Sequence, residues 1–337
     1  MLSIYKSKNS TRVCAIKSNN VFLHGLPVYI VRKIRNKIEQ EDINSVLATY
    51  VFFDTKNQNA TDYNMAFTKA EKLKPDLKDV KDLNQIELDD DSSFVLLPHD
   101  PTIDRDSIYI AGTAGCGKTF MINNYLERLI KSNTGKDVYY ISVHNLKFDP
   151  SISDYVKQHI GYINPSKLTS FIKATEKYKD AIFVFDDVDS SINEEETDEE
   201  EESDNSDEEE VVKKVDIKKD LQKMTAFAKK SKLSEGIVRN SAINLVSNGR
   251  KYGISIVFIS HKLKEIATNK ISHGCNTLVV FPEADGAQIT PFLTSRTNLD
   301  KKTVENILED TDKYQYEPLV INKALKYYTY QNKMGTL

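Results

Sequence analysis

A chain of 337 residues holds enough apolar side chains for one large or two modest hydrophobic cores, so neither disulfide nor metal staples are needed for folding. Its three cysteines, Cys14, Cys116 and Cys275, lie far apart and share no metal-ligand spacing, which argues against a disulfide framework and for a reducing, intracellular setting. The net charge of −4 conceals 13 carboxylates between residues 194 and 210; the rest of the chain carries +9, a balance that suits a polyanionic partner such as double-stranded DNA.

No apolar run approaches the roughly 20 residues of a spanning helix, and the first residues lack the apolar core of a signal peptide, so a soluble protein with no membrane association is expected. Residues 1–100 mix short extended patterns, Val21-Phe22-Leu23 and Val28-Tyr29-Ile30-Val31, with a lysine- and aspartate-rich stretch that ends near Asp91. No catalytic pattern stands out there, and the segment is set apart as an N-terminal region of its own.

From Ser107 the pattern changes to strands alternating with helices, the signature of an α/β domain with a mostly parallel sheet flanked by helices, placed at residues 101–337. Five runs read as strands: Ile108 to Ile110, Val138 to Ile141, Ile182 to Phe185, Ile254 to Ile259 and Thr277 to Phe281. Phe120 to Ile130 and Ser234 to Ser247 space their apolar residues as helices, while Leu319 to Ile321 and Tyr327 to Tyr330 suggest a closing hairpin. Residues 190–234 interrupt the alternation. The acidic run and the lysine-rich stretch after it look like an insert in a loop, its acidic half disordered on compositional grounds.

The run Gly112-Thr113-Ala114-Gly115-Cys116-Gly117-Lys118-Thr119 satisfies G-x-x-x-x-G-K-[ST] between a strand and a helix. The glycines let backbone N–H groups turn inward around phosphates, Lys118 reaches the β and γ phosphates, and the Thr119 hydroxyl holds Mg²⁺. The helix that begins there points its positive end at the triphosphate. The Cys116 side chain is expected to border the nucleotide, where the helix N-terminus would favour its thiolate. A second acidic position belongs at the end of a buried strand, and Ile182 to Phe185 runs into Asp186 and Asp187. Asp186 is the expected Mg²⁺ carboxylate, and Asp187 the residue that orients or deprotonates the attacking water. The strand Ile254 to Ile259 ends in Ser260-His261, which makes His261 the candidate sensor of the γ phosphate. Arg250 precedes that strand and so falls at the opposite edge of the sheet; acting on a phosphate, it would serve a neighbouring subunit of a ring or a DNA strand, with Arg239 and Arg296 as rivals.

Together, Ile108 to Thr119, Phe183 to Asp187 and Asn248 to His261 resemble the P-loop ATPases of large DNA viruses, relatives of the FtsK/HerA motor superfamily and of poxvirus-type genome-packaging ATPases. The resemblance spans about residues 100–330 and implies a RecA-like ATPase that uses ATP and Mg²⁺. It further implies an oligomeric ring that couples hydrolysis to DNA translocation, with a viral capsid as partner and host cytoplasm or virion as location. Asp187 stands where that superfamily usually has Glu, and His261 where it usually has Gln. A GTPase would need an Asn-Lys-x-Asp reader, which Asn145-Leu146-Lys147-Phe148-Asp149 does not match. A small-molecule kinase shares the phosphate loop but generally carries an arginine-rich lid, and no arginine lies between Ser190 and Val238. An assembly protein that binds ATP and scarcely hydrolyses it is the non-enzyme alternative.

Overall fold

The computed structural model describes residues 1–19, 23–32, 39, 41–46, 85–88, 91–96, 105–132, 135–144, 149–186, 188, 236–261, 263, 266–281, 286–297, 299–308 and 317–337. Asp187 and the whole insert of residues 190–234 lie outside the described residues. Near the N-terminus, β1 (Leu2–Ser3), β2 (Ser10–Lys17), β3 (Pro27–Val31) and β5 (Ser93–Leu96) form a small antiparallel sheet in the order β1-β3-β2-β5. The intervening strand β4 (Gln85–Glu87) belongs to a different sheet.

The expected run Ile108 to Ile110 lies in β6 (Ser107–Ala111), and the next becomes β7 (Val138–Ser142). A short strand without a strong apolar signature follows, β8 (Ile160–Ile163), then β9 (Ile182–Asp186), β10 (Ser255–Ser260) and β11 (Thr277–Val280) on the remaining three runs. These six pair in parallel in the order β11-β6-β10-β9-β7-β8. Every residue of β6, β9, β10 and β11 is buried, as strands covered on both faces must be, which is why their sequences read as unbroken apolar runs.

Alternate residues of each strand feed two cores. Ile108, Ile110, Val257 and Ile259 meet helix α1 (Lys118–Lys131), which buries Ile122, Tyr125, Leu126 and Leu129 along one stripe, with Val156 of α2 (Asp154–His159) alongside. On the other face Tyr109, Ile256 and Phe258 pack under α3 (residues 236–248), α4 (Ile266–Gly274), α5 (Gly286–Thr297) and α6 (Lys301–Leu308). The result is a three-layer α/β/α sandwich.

The expected C-terminal hairpin is a three-stranded meander, β12 (Leu319–Asn322), β13 (Tyr327–Tyr330) and β14 (Lys333–Thr336), added antiparallel to β11. Strand β4 pairs with β14 and completes a sheet of ten strands. A third core joins the N-terminal sheet to this meander: Val13, Cys14, Ile16, Val28 and Ile30 pack with Ile86, Tyr327 and Met334.

Arg105 ties the entrance of β6 to the end of α3. Its guanidinium donates to the carbonyls of Leu245 (2.9 Å) and Val246 (2.5 Å), two of the acceptors that a helix C-terminus leaves over. A Cβ on Gly249 would lie 2.7 Å from that guanidinium nitrogen, so glycine there leaves room for the cap. The turn Gly249–Tyr252 then delivers the chain to β10.

Candidate active site at the carboxyl ends of the strands

The loop from Gly112 to Gly117 leaves the carboxyl end of β6 and turns into α1 through Gly115 (φ 80°) and Gly117 (φ 101°), both in the left-handed region that favours glycine. Gly112 meets a different demand. A Cβ there would lie 2.6 Å from the Cys116 sulfur and 2.9 Å from the Phe281 Cβ, so the loop can lie down on Phe281 only without one. Gly117 is the N-cap of α1 and offers no side chain to the first-turn N–H groups, which leaves them for an anion.

Lys118 folds back over the loop. Its ammonium donates to the carbonyls of Gly112 and Thr113, each at 2.7 Å, and stands 3.3 Å from His261 Nδ1. An ammonium can only donate, so the Nδ1 facing it accepts and the ring proton sits on Nε2. Parallel pairing of β10 with β6 produces this meeting: Ser260 lies opposite Ala111 and accepts from the Gly112 N–H at 3.3 Å, so the residue after it reaches the loop.

Asp186 closes β9, two strands from the loop, and is buried. Its Oδ2 accepts a 2.6 Å hydrogen bond from the hydroxyl of Tyr140, itself fully buried on β7. Burial and the neighbouring carboxylate hold the Tyr140 hydroxyl well above its ordinary pKa, so it stays a donor and fixes the carboxylate rotamer.

Lys118, Thr119, Asp186 and His261 line one cleft of about 300 Å³ together with Ala114, Gly115 and Gly117. Sequence reasoning missed five further residues on its wall, Phe120, Ser142, His144, Asp149 and Ser151. Ser142 carried the same signal as Asp186, a polar residue directly after an apolar run. The cleft's oxygen donors include Thr119, Ser142, Asp149 and Asp186, the hard donor set that suits Mg²⁺. Among the described residues no three His, Cys, Asp or Glu side chains gather closely enough to hold a metal by themselves, so a magnesium ion here would lean on phosphate oxygens and water.

Two expectations change. The Cys116 side chain does not border the cleft: it is 1 % exposed and turned down into the core with Ile108, Ile122 and Phe281, leaving only its backbone in the loop. Arg296 is occupied inside the chain, with its Nε 3.1 Å from Ser272 Oγ, a second bond to Asn269 and its guanidinium over the Phe292 ring, so it secures α5 to α4. Arg250 lies in the turn before β10, separated from the cleft by the length of that strand, about 16 Å, and Arg239 is exposed on α3. Asp187 directly follows Asp186 but lies outside the described residues.

Residues 108–241 match the protein-family model described as ATPase family associated with various cellular activities (AAA). This is a P-loop NTPase fold. The matched span of the P-loop NTPase domain runs from the loop strand β6 to the first residues of α3. Among solved structures, the genome packaging NTPase B204 from Sulfolobus turreted icosahedral virus 2, in complex with AMPPCP, is similar at 11 % identity and a TM-score of 0.39, over 68 % of this chain and 98 % of that one. The pCW3 conjugation coupling protein TcpA, a monomer form with ATPgS, is similar at 12 % identity and a TM-score of 0.42, over 69 % of this chain and 61 % of that one. Thermomonospora curvata EccC (ATPases 2 and 3), in complex with a signal sequence peptide, is similar at 14 % identity and a TM-score of 0.36, over 71 % and 42 %. No curated protein matches. Among the described residues no helix is long and apolar enough to cross a membrane.

Tyr140→Phe removes the bond to Asp186 and nothing else of the cleft wall. Turnover at saturating magnesium is expected to stay within about threefold of wild type while the magnesium concentration for half-maximal activity rises about tenfold, the effect of freeing an outer-shell partner. A magnesium titration of phosphate release checks this, and an unchanged midpoint would show that the carboxylate needs no such support.

Proposed function

We propose that this protein is an ATPase that binds ATP with Mg²⁺ and uses its hydrolysis to move double-stranded DNA, as a genome-packaging or translocating motor does. The observation that carries the ATPase reading is the convergence of Lys118, His261 and Asp186, from three different elements, on the one cleft whose floor is the glycine loop. On this reading the β and γ phosphates of ATP replace the Gly112 and Thr113 carbonyls as acceptors of the Lys118 ammonium, and the loop N–H groups take up the remaining charge. The Thr119 hydroxyl and Asp186 would hold magnesium, which when bound would supply positive charge to offset that of the phosphates. His261, beside Lys118, is placed to respond to the γ phosphate, because loss of that group returns the ammonium to its resting acceptors. Asp187 is assigned to the attacking water from its place in the sequence.

DNA as partner is supported by the +9 balance of the chain outside its acidic run and by the resemblance of the Asn248 to His261 segment to viral and FtsK/HerA motors. The position of Arg250 favours a ring, since at the far edge of the sheet it can serve a nucleotide only in the adjoining subunit. We assign residues 101–337 to the ATPase domain and 1–100 to an N-terminal region that packs on its C-terminal meander and lends β4 to its sheet. ATP turnover measured with and without double-stranded DNA, beside particle mass from light scattering, tests the whole. A motor is expected to form oligomers with ATP and to turn over at least severalfold faster on DNA. A monomer whose turnover ignores DNA would favour the kinase or assembly-protein alternative.

A further inference from the structure

A second cleft of about 400 Å³ opens on the other side of the loop, and it shares Gly117 and Phe120 with the cleft that holds Lys118. Phe120, in the first turn of α1, is 62 % exposed, the most exposed of the large apolar side chains described. Besides the outer side of α1, the second cleft is lined by distant parts of the chain: Lys17, Ser93 and Phe94 from the N-terminal sheet, Glu317 ahead of β12, and Gln331 from the turn between β13 and β14. Main-chain bonding holds two of these walls together, because the Phe94 N–H donates to the Gln331 carbonyl at 2.8 Å. Gln331 itself sits at φ 47°, in a two-residue hairpin turn where glycine is the usual choice.

We propose that this second cleft takes the purine nucleoside end of the bound triphosphate, with the N-terminal sheet forming one wall of the nucleotide site. The inference rests on the ATPase reading and extends it. On the ATPase reading Asp186 and His261 mark the terminal phosphates in the first cleft, and Gly117 and Phe120, the residues common to both clefts, give the ribose and base a path into the second. The volume fits a nucleoside, for which pockets of about 300 Å³ and upward are usual. Phe120 and Phe94 provide aromatic faces for stacking a flat heterocycle, and Glu317, Gln331 and Lys17 provide acceptors and donors for its edge and for the ribose. Opposite charges face each other there: burial raises the Glu317 carboxyl while Lys17 draws it down. The N-terminal region thereby acquires a role that its sequence did not disclose.

Calorimetric titration of the full chain with ATP and, separately, with inorganic tripolyphosphate tests the assignment. Phe94→Leu keeps an apolar side chain in the sheet and removes the stacking face, and Phe120→Ala changes an exposed residue. Each is expected to weaken ATP about 5- to 10-fold while tripolyphosphate binds as to wild type. A parallel titration with GTP reports whether the Glu317 and Gln331 edge prefers adenine or guanine, and loss of stacking should weaken either purine. Unchanged ATP affinity in Phe94→Leu, or equal weakening of ATP and tripolyphosphate, would overturn the proposal while leaving the phosphate site standing. Wild-type protein that binds neither ligand would overturn the ATPase reading and this one with it.

Discussion

Lys118→Ala is expected to lower ATP turnover by about 10³-fold or more, to the limit of detection in a phosphate-release assay, because it deletes the cation aimed at the β and γ phosphates. The side chain donates to two carbonyls of its own loop, Gly112 and Thr113, and Lys118 itself lines the cleft, from which water can reach the space it leaves. The fold should therefore survive, with unfolding free energy within about 1 kcal/mol of wild type, the ordinary net worth of such bonds. Arginine should not rescue it: a planar fork cannot sit in the space where the ammonium contacts two carbonyls and His261 Nδ1. Turnover near wild type in Lys118→Ala would place the chemistry elsewhere in the molecule.

Asp186→Asn carries the second large effect, a loss of about 10² to 10³ in turnover. Asparagine is isosteric, and its carbonyl oxygen can still accept the Tyr140 hydroxyl, so the change isolates the charge from the geometry. Two readouts separate a metal role from a packing role. If the carboxylate holds magnesium, ATP affinity in the variant should lose its dependence on magnesium while the melting temperature stays within a few degrees. A variant that melts early but keeps a normal magnesium titration would make Asp186 a structural residue of the β9 end.

The residues beside these show why some parts of the site were legible and others were not. Asp186 and His261 come where apolar runs required by a sheet buried on both faces end, and Lys118 closes the glycine-loop pattern, so their neighbours in sequence announced them. Asp149 and Ser151 sit in an irregular connection between β7 and α2, where no periodicity marks a position, and only the folded chain brings them to the cleft wall. Cys116 failed for a different reason. Membership of the loop said that its backbone faces phosphate, but the side-chain direction follows from loop dihedrals and from the space between Gly112 and Phe281. Strand β8 was missed because it lies at the sheet edge with two exposed residues, and its pattern lacks the apolar continuity of the central strands.

What the sequence determined by itself is therefore the local grammar: five central strands, the helix after the loop, the glycine loop and the polar residues that end two of the strands. These follow from short-range rules of backbone sterics, burial and period, which act within a dozen residues. Which strands lie side by side, that Arg105 caps α3 across 140 residues, and that Phe94 comes to Gln331 were decided only by the tertiary structure. Such contacts depend on the lowest free energy of the whole packed chain, and no local pattern encodes the partner of a side chain that lies more than a hundred positions away.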